Sequence, residues 1–507
     1  MPTFQTYDGT ELAYHVMGEG APLICLPGGP MRAGAYLGDL GGLGDGRQLI
    51  VLDLRGTGDS AVPDDLSTYR CDRLVDDVEA LRRHLGTDRV DLLAHSAAGD
   101  LASLYAARYP QSLRSLILVA PTTRAVGFPF VEREAREAAA LRRSEPWYAQ
   151  ALPALEEVWA GRLTDELRAA SRPFLYGRWD AAAQAHAALS PRQINAEAAQ
   201  AYYGHGAFDP AETVAALRTF ACPVLVLAGE YDGVTTPDRA AELAALFPKS
   251  EFAVQRGAGH FPWLDDPGAF VRTVTAFLDP DVHSVQAGGI RLAHRVWGDP
   301  AAPPVVLVHG RCGSSTTWVT IAERLAARHR VYAFDFRGHG LSDWTGRYSF
   351  ELFRDDLHAF LEVRNLSGAT VVGHSMGGAA AYLLAERQPG LIGRLVIEEA
   401  PPPFPLDPPR APVERPEGAL DFDWPVVPSI DAQLNDPDPA GRERLGEIAA
   451  PTLVIGGGPA SHIDQEDLAW MARQIPGARH VTIDAGHLVH TERPEEFLAA
   501  LRSFGVG

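Results

Sequence analysis

Two serines in this chain keep nearly the same company. Ser96 lies in "LLAHSAAGD" (residues 92–100) and Ser375 in "VVGHSMGG" (371–378), each after an apolar run and a histidine. A serine hydroxyl is a weak nucleophile until a base takes its proton, and it can attack a carbonyl only if it stands clear of the chain. A strand that turns sharply into a helix lifts one side chain in this way. Strand and helix nearly collide at such a turn, so the flanking residues must be small, as in the pattern Gly-x-Ser-x-Gly. Gly373-His374-Ser375-Met376-Gly377 matches it in full, whereas Ala94-His95-Ser96-Ala97-Ala98 carries alanine at both glycine positions. The chemistry to expect is nucleophilic acyl transfer.

The turn occurs twice because the chain repeats itself. "ELAYHVMGEG" from Glu11 is answered by "RLAHRVWGDP" from Arg291, and "VLDLRGTGDS" by "YAFDFRGHGLS". Gly28 and Gly310 are 282 positions apart, as are Asp53 and Asp335, while Ser96 and Ser375 are 279 apart. The expected join lies near "FLDPDVHSV", giving one copy over 1–281 and another over 282–507. In each copy short β-branched runs such as "PVVLVHG", "RVYAFDF" and "RLVIEEA" alternate with helical patterns such as "RLVDDVEALRRHLG". Near-continuous apolar strands separated by helices imply a parallel sheet covered on both faces. The copies differ between their last strands. The first holds an alanine- and charge-rich insert over about 121–221, with Trp147, Tyr148, Trp159, Tyr176 and Trp179. The second holds a shorter proline-rich insert over about 401–450, which cannot be mostly long helix. Such excursions read as lids, their aromatics serving either a binding face or the insert's own core.

Both copies resemble the α/β-hydrolase fold. "PGGP" followed by "DLRGTGDS" makes the first similar to proline iminopeptidase-like members. "VHG", "DFRGHGLSD" and "GHSMGG" make the second similar to the esterase, lactonase and carbon–carbon hydrolase group. The resemblance implies an α/β class with two tandem α/β-hydrolase domains, each a mostly parallel sheet flanked by helices, and a Ser–acid–His triad in that chain order. The histidines would be His260 in "GAGHFPWLDDP" and His487 in "DAGHLVHTERP", with His490 structural. Asp232 sits where the family's carboxylate belongs in the first copy, but the same count in the second reaches Ala460, in "GGGPASH". There the acid is expected one strand earlier, at the end of "RLVIEEAP". Glu398 is preferred, with Glu399, another acid such as Asp464, or no working acid as alternatives.

Backbone N–H donors for the oxyanion would come from Ala97 and Met376, which follow the serines, and from Gly29 in "PGGP" and Arg311 in "HGR". Pro27 replaces the family's usual histidine, and Pro30 cannot donate. Asp53-Leu54-Arg55-Gly56 and Asp335-Phe336-Arg337-Gly338 are expected to order tight loops rather than to catalyse.

With 507 residues the chain exceeds one ordinary core, and its net charge of -20 argues against nucleic acid or an anionic membrane as the main partner. Cys25, Cys71, Cys222 and Cys312 show no metal-ligand spacing and read as free thiols. "MPTFQTYDGTELAY" lacks the basic and apolar segments of a secretory signal, and no apolar run reaches the roughly 18 residues of a membrane span, so a cytoplasmic protein is expected. No metal or organic cofactor is implied; the partner is a small-molecule substrate, and the oligomeric state stays open. The leading expectation is a serine hydrolase acting on an ester, lactone or amide. A serine nucleophile argues against dehalogenase and epoxide-hydrolase relatives of the fold, which use aspartate. The iminopeptidase likeness implies a peptide or amide substrate for the first copy, its amine held by acidic lid residues such as Glu132, Glu134, Glu137 and Glu145. The alternatives are one catalytic domain fused to a weak copy serving as a binding or scaffold module, and a small-molecule sensor.

Overall fold

Each copy is organised around a strand that is apolar toward both of its faces. In the computed structural model, which describes residues 1–400, 404–418 and 420–507, every residue of Val90–His95 is buried, as are all but one of Ala369–His374. Part of the proline-rich insert, residues 401–403 and 419, lies outside the described residues. A strand covered on both faces needs helices above and below it, and parallel neighbours joined by helical crossovers supply them.

The first copy has strands β1 (Thr3–Gln5), β2 (Glu11–Met17), β3 (Pro22–Leu26), β4 (Gln48–Leu52), β5 (Val90–His95), β6 (Leu113–Val119), β7 (Val224–Gly229) and β8 (Ser250–Gln255). They lie in the order β1-β2-β4-β3-β5-β6-β7-β8. β2 is antiparallel to β1 and β4, and the remaining pairs are parallel. The second copy has β9 (Val282–Ala287), β10 (Ile290–Trp297), β11 (Pro304–Val308), β12 (Arg330–Phe334), β13 (Ala369–His374), β14 (Ile392–Glu398), β15 (Thr452–Gly456) and β16 (Arg479–Thr482). Its order, β9-β10-β12-β11-β13-β14-β15-β16, is the same. The chain divides into two compact units, Met1–Val274 and Thr275–Gly507, the division falling within the helix Pro267–Leu278. No helix among the described residues is long and apolar enough to cross a membrane.

The first insert folds into helices including Glu132–Ala140, Tyr148–Trp159, Ala181–Gln193 and Ala196–Tyr202. Its aromatics divide between two duties. Trp147, Tyr148 and Trp159 pack with Phe174 in a core of the insert itself. Tyr176 instead stacks on Phe261, with ring centroids 5.0 Å apart, beside the expected catalytic histidine. In the second insert the helices are short, Val426–Asn435 and Ala440–Arg444, as its prolines require.

The Asp–x–Arg–Gly segments order their loops in both copies. Asp53 accepts N–H bonds from Gly34 (2.7 Å) and Asp59 (3.0 Å), and Asp335 does the same for Ser315 and Leu341. Arg55, fully buried, grips Asp77 through Nε at 2.7 Å and reaches Asp8 as well; Arg337 grips Asp356 in the same way. Removing one partner of a buried pair strands the other charge at a cost of about 3–5 kcal/mol. Arg55→Met should therefore raise amide exchange across residues 48–95 by the equivalent of about 3 kcal/mol or more, with partial recovery when Asp77→Asn is added. Unchanged exchange would show that the pair does not hold this region together.

Candidate active site

Both serines sit in the left-handed region of the backbone, φ +56° at Ser96 and +51° at Ser375. Side chains rarely adopt this conformation, so neighbouring contacts must hold it. The Ser96 N–H donates to Val119 O at 3.0 Å and the Ser375 N–H to Glu398 O at 2.8 Å, tying each turn to the adjacent strand. The loop after the first parallel strand crosses very close by. A Cβ at Gly28 would lie 2.8 Å from Ser96 Cβ, and one at Gly310 would lie 3.2 Å from Ser375 Cβ. Ala94 and Ala98, at the glycine positions of the first turn, are both buried. The first helix keeps a glycine one residue later, where a Cβ on Gly99 would strike Pro121 at 2.4 Å.

In the first copy three expected residues meet. His260 Nε2 is 2.9 Å from Ser96 Oγ, and His260 Nδ1 is 2.8 Å from Asp232 Oδ2. The other Asp232 oxygen accepts the N–H groups of Val234 (2.8 Å) and Thr235 (3.3 Å), which fixes the carboxylate behind the ring. All three side chains are buried. A histidine so placed can accept a proton from the serine while its other nitrogen is held by the acid.

The second copy requires a correction. The sequence favoured Glu398 as the partner of His487, but Glu398 turns to His490, accepting from its N–H at 2.8 Å and bonding its Nδ1. That pair is buried, with the His490 ring stacked 3.9 Å from Trp318. Glu399 instead bonds His487 Nδ1 at 3.2 Å. The backbone explains the exchange. β14 ends at Glu398, and Glu399 turns to φ +49°, which redirects its side chain toward the loop after β15. There it accepts from Gly457 N–H, Ser461 Oγ and Gln465 Nε2. Burial pushes the Glu399 carboxyl pKa up, but these bonds and that from His487 outweigh it and hold the group below the usual range. Asp464 caps the helix Gln465–Gln474. Ser375 Oγ makes no hydrogen bond to His487, whose side chain is 21% exposed against 7% for His260.

The spacing carries no signal for Glu399, since the residue 24 positions after Ser96, as Glu399 is after Ser375, is Ala120. Both have a positive φ, +45° and +49°. The glycines of "GGGPASH" leave the glutamate room: a Cβ on Gly457 would lie 1.9 Å from Gly486 O and 3.0 Å from Glu399 Oε1.

Of the four expected oxyanion donors, Ala97 and Met376 directly follow the serines, and Gly29 and Arg311 directly follow Gly28 and Gly310, which crowd them; none of the four N–H groups is committed to an acceptor among the described residues. Two residues that hold these loops were not read from the sequence as such. Tyr36 replaces the missing loop histidine of the first copy: the Gly28 N–H donates to its hydroxyl at 2.7 Å, and the hydroxyl donates to His95 Nδ1 at 2.7 Å. Burial keeps the His95 pKa well below its usual value, so the ring is neutral and its Nε2–H donates to His260 O at 2.8 Å. In the second copy His309 donates from Nδ1 to Gly310 O and accepts the Phe336 N–H. Among the described residues, His15, Asp53 and Asp59 could converge on a metal ion, but Asp53 already carries the loop bonds described above.

Known proteins match between two fifths and just over half of this chain and nearly the whole of their own length. An esterase, YbfF, from Escherichia coli is 29% identical over 236 residues, 40% of this chain and 92% of its own length. A proline iminopeptidase from Heyndrickxia coagulans is 26% identical over 273 residues, 52% of this chain and 92% of its own. The solved structure of a thermophilic esterase from Thermogutta terrifontis covers 55% of this chain and 97% of its own, at 26% identity and a TM-score of 0.40. The family profile described as the alpha/beta hydrolase fold matches residues 21–267 and 303–424, which is well over half the chain and reaches into both copies. The repeat, the paired sheets and this match together make the chain a member of the α/β-hydrolase fold family.

Proposed function

We propose that the chain is a serine hydrolase with two acyl-transfer sites acting on small-molecule esters or lactones. The observation that carries this reading is the bridging of Ser96 and Asp232 by His260, with hydrogen bonds of 2.9 and 2.8 Å. Ser96 Oγ attacks the acyl carbon as His260 Nε2 takes its proton, and Asp232 accepts from Nδ1–H and stabilises the imidazolium. The N–H groups of Gly29 and Ala97 receive the developing oxyanion. Collapse of the tetrahedral species expels the leaving group, protonated by His260, and leaves an acyl group on Ser96. Water, deprotonated by the same Nε2, then releases the acid and restores the serine.

In the second copy Ser375, His487 and Glu399 take these parts, with Met376 and Arg311 as oxyanion donors. The open Ser375–His487 contact is compatible with this role, since such bonds often tighten only around substrate. Esters and lactones are favoured over substrates with a free amine by the state of the lid glutamates. Glu132 pairs with Arg136, Glu134 with Arg239, Glu137 with Arg133 and Glu145 with Arg142, so each negative charge is already met.

Hydrolysis of p-nitrophenyl butyrate by wild type, Ser96→Ala, Ser375→Ala and the double variant tests the reading. Each single variant should keep part of the rate and the double should lose it; loss from one substitution alone would make the other copy a binding module. In the Ser96→Ala background, Glu399→Gln should slow fluorophosphonate labelling of Ser375 about 10³-fold or more, because the wrong tautomer of His487 is then favoured. Glu398→Gln should mainly lower Tm, since it disturbs the buried pair with His490. Equal slowing by both substitutions would remove Glu399 from the role of acid.

A further inference from the structure

Four arginines are buried among the described residues: Arg32, Arg55, Arg142 and Arg291. Three have a carboxylate within 4.0 Å: Asp77 and Asp8 for Arg55, Glu145 for Arg142, and Asp343 for Arg291. Arg32 has none. It is 4% exposed, its Nε donates to Gln193 Oε1 at 2.9 Å, and its Nη2 is buried with no partner among the described residues. Its Cζ lies 4.1 Å from the centre of the Tyr36 ring. A buried cation lacking a counter-charge costs several kcal/mol on general grounds, so its retention calls for a reason.

Its place in the fold supplies one. Arg32 belongs to the oxyanion loop: its N–H donates to Gly28 O at 3.0 Å, and a Cβ on Gly29 would touch Arg32 Cβ at 2.7 Å. Tyr36, beneath the guanidinium, bonds His95 next to Ser96. His186 and Tyr176 complete this wall, with His186 bonded to Tyr36 O and Tyr176 Oη and packed 4.8 Å from Phe261, the neighbour of His260. The charged or titratable groups near enough to act on Arg32, or to be acted on by it, are Tyr36, Tyr176, Arg172, His95 and His186, and no carboxylate is among them. Burial pulls the Arg32 pKa down and holds His186 at about 4, so His186 is neutral and the positive charge here is that of Arg32, with Arg172 as a like-charged neighbour rather than a counter-charge.

We propose that Arg32 receives a free carboxylate on the substrate of the first site, so that this copy acts on esters or lactones bearing a carboxylate apart from the bond cleaved. The proposal rests on the hydrolase reading above and narrows its substrate class. A guanidinium with an unoccupied Nη2 offers a charge-assisted bond to one carboxylate oxygen, and the same charge repels an ammonium group. The site is thereby set against the free-amine substrate that the iminopeptidase likeness implied.

The test uses Ser375→Ala protein, so that only the first site reports, and compares mono-p-nitrophenyl succinate with p-nitrophenyl butyrate. The ratio of kcat/KM should favour the succinate hemiester and fall at least 20-fold in Arg32→Met, chiefly through KM for the hemiester, with part of the ratio kept in Arg32→Lys. Succinate should also protect Ser96 from fluorophosphonate labelling in the Arg32 protein. An unchanged ratio with equal losses on both esters would make Arg32 structural, and absence of both preference and protection in the Arg32 protein would overturn the proposal even if Arg32→Met fails to fold. If Ser96 is neither labelled nor active, the hydrolase reading fails separately. Calorimetric titration of succinate then decides the carboxylate site, and absent binding in the Arg32 protein, or equal binding in Arg32→Gln, overturns it.

Discussion

A serine forced into a left-handed backbone conformation between a buried strand and a helix is the constraint on which both copies are built. Each such residue stores about 1–3 kcal/mol of strain, so it persists only where surrounding structure leaves no alternative. Here the strand before it is buried on both faces, and its own N–H is captured by the neighbouring strand. The loop from the first parallel strand then approaches so closely that only glycine fits, at Gly28 and Gly310. That approach brings the candidate oxyanion donors to the serine. A site of this kind cannot be moved along the chain without rebuilding the sheet beneath it.

Within this fixed frame the carboxylate is the part that moved. In the first copy it is Asp232, on the loop after β7, anchored by two backbone N–H groups. In the second it is Glu399, one strand nearer the serine, reaching across to the loop after β15. The longer side chain makes this reach possible, and the glycines of that loop leave it room. Either arrangement presents an acceptor to the Nδ1 side of a histidine. Both oxygens of Glu399 are occupied by donors on the opposite loop, so this carboxylate also fastens β14 to β15.

Buried polar contacts hold the loops around both sites. The Tyr36–His95–His260 connection ties the oxyanion loop to the loop of the histidine through hydrogen bonds of 2.7 and 2.8 Å. Asp53 and Asp335 gather backbone N–H groups from separate loops. Such networks specify one geometry because leaving any member unpaired costs more than an ordinary hydrogen bond gains. Arg32 departs from this rule inside the same neighbourhood, which is why its free Nη2 points to chemistry supplied from outside the chain.

The sequence by itself determined the duplication, the parallel sheets and the serine turns, because these rest on local features: apolar runs, small residues at a crowded corner and a constant offset between copies. The family resemblance carried by those motifs brought Ser96, Asp232 and His260 forward as a set, each standing after a recognisable strand. The sequence did not separate Glu398 from Glu399. Adjacent residues at a strand end differ in direction through one backbone dihedral, and the +49° at Glu399 is imposed by the sheet and the loop it meets. Nor could composition distinguish lid glutamates held in ion pairs from ones free to bind an amine, or the aromatics that fill the lid's own core from Tyr176 beside His260. Those distinctions depend on which groups, distant in sequence, share a burial site, and only the tertiary structure decides that.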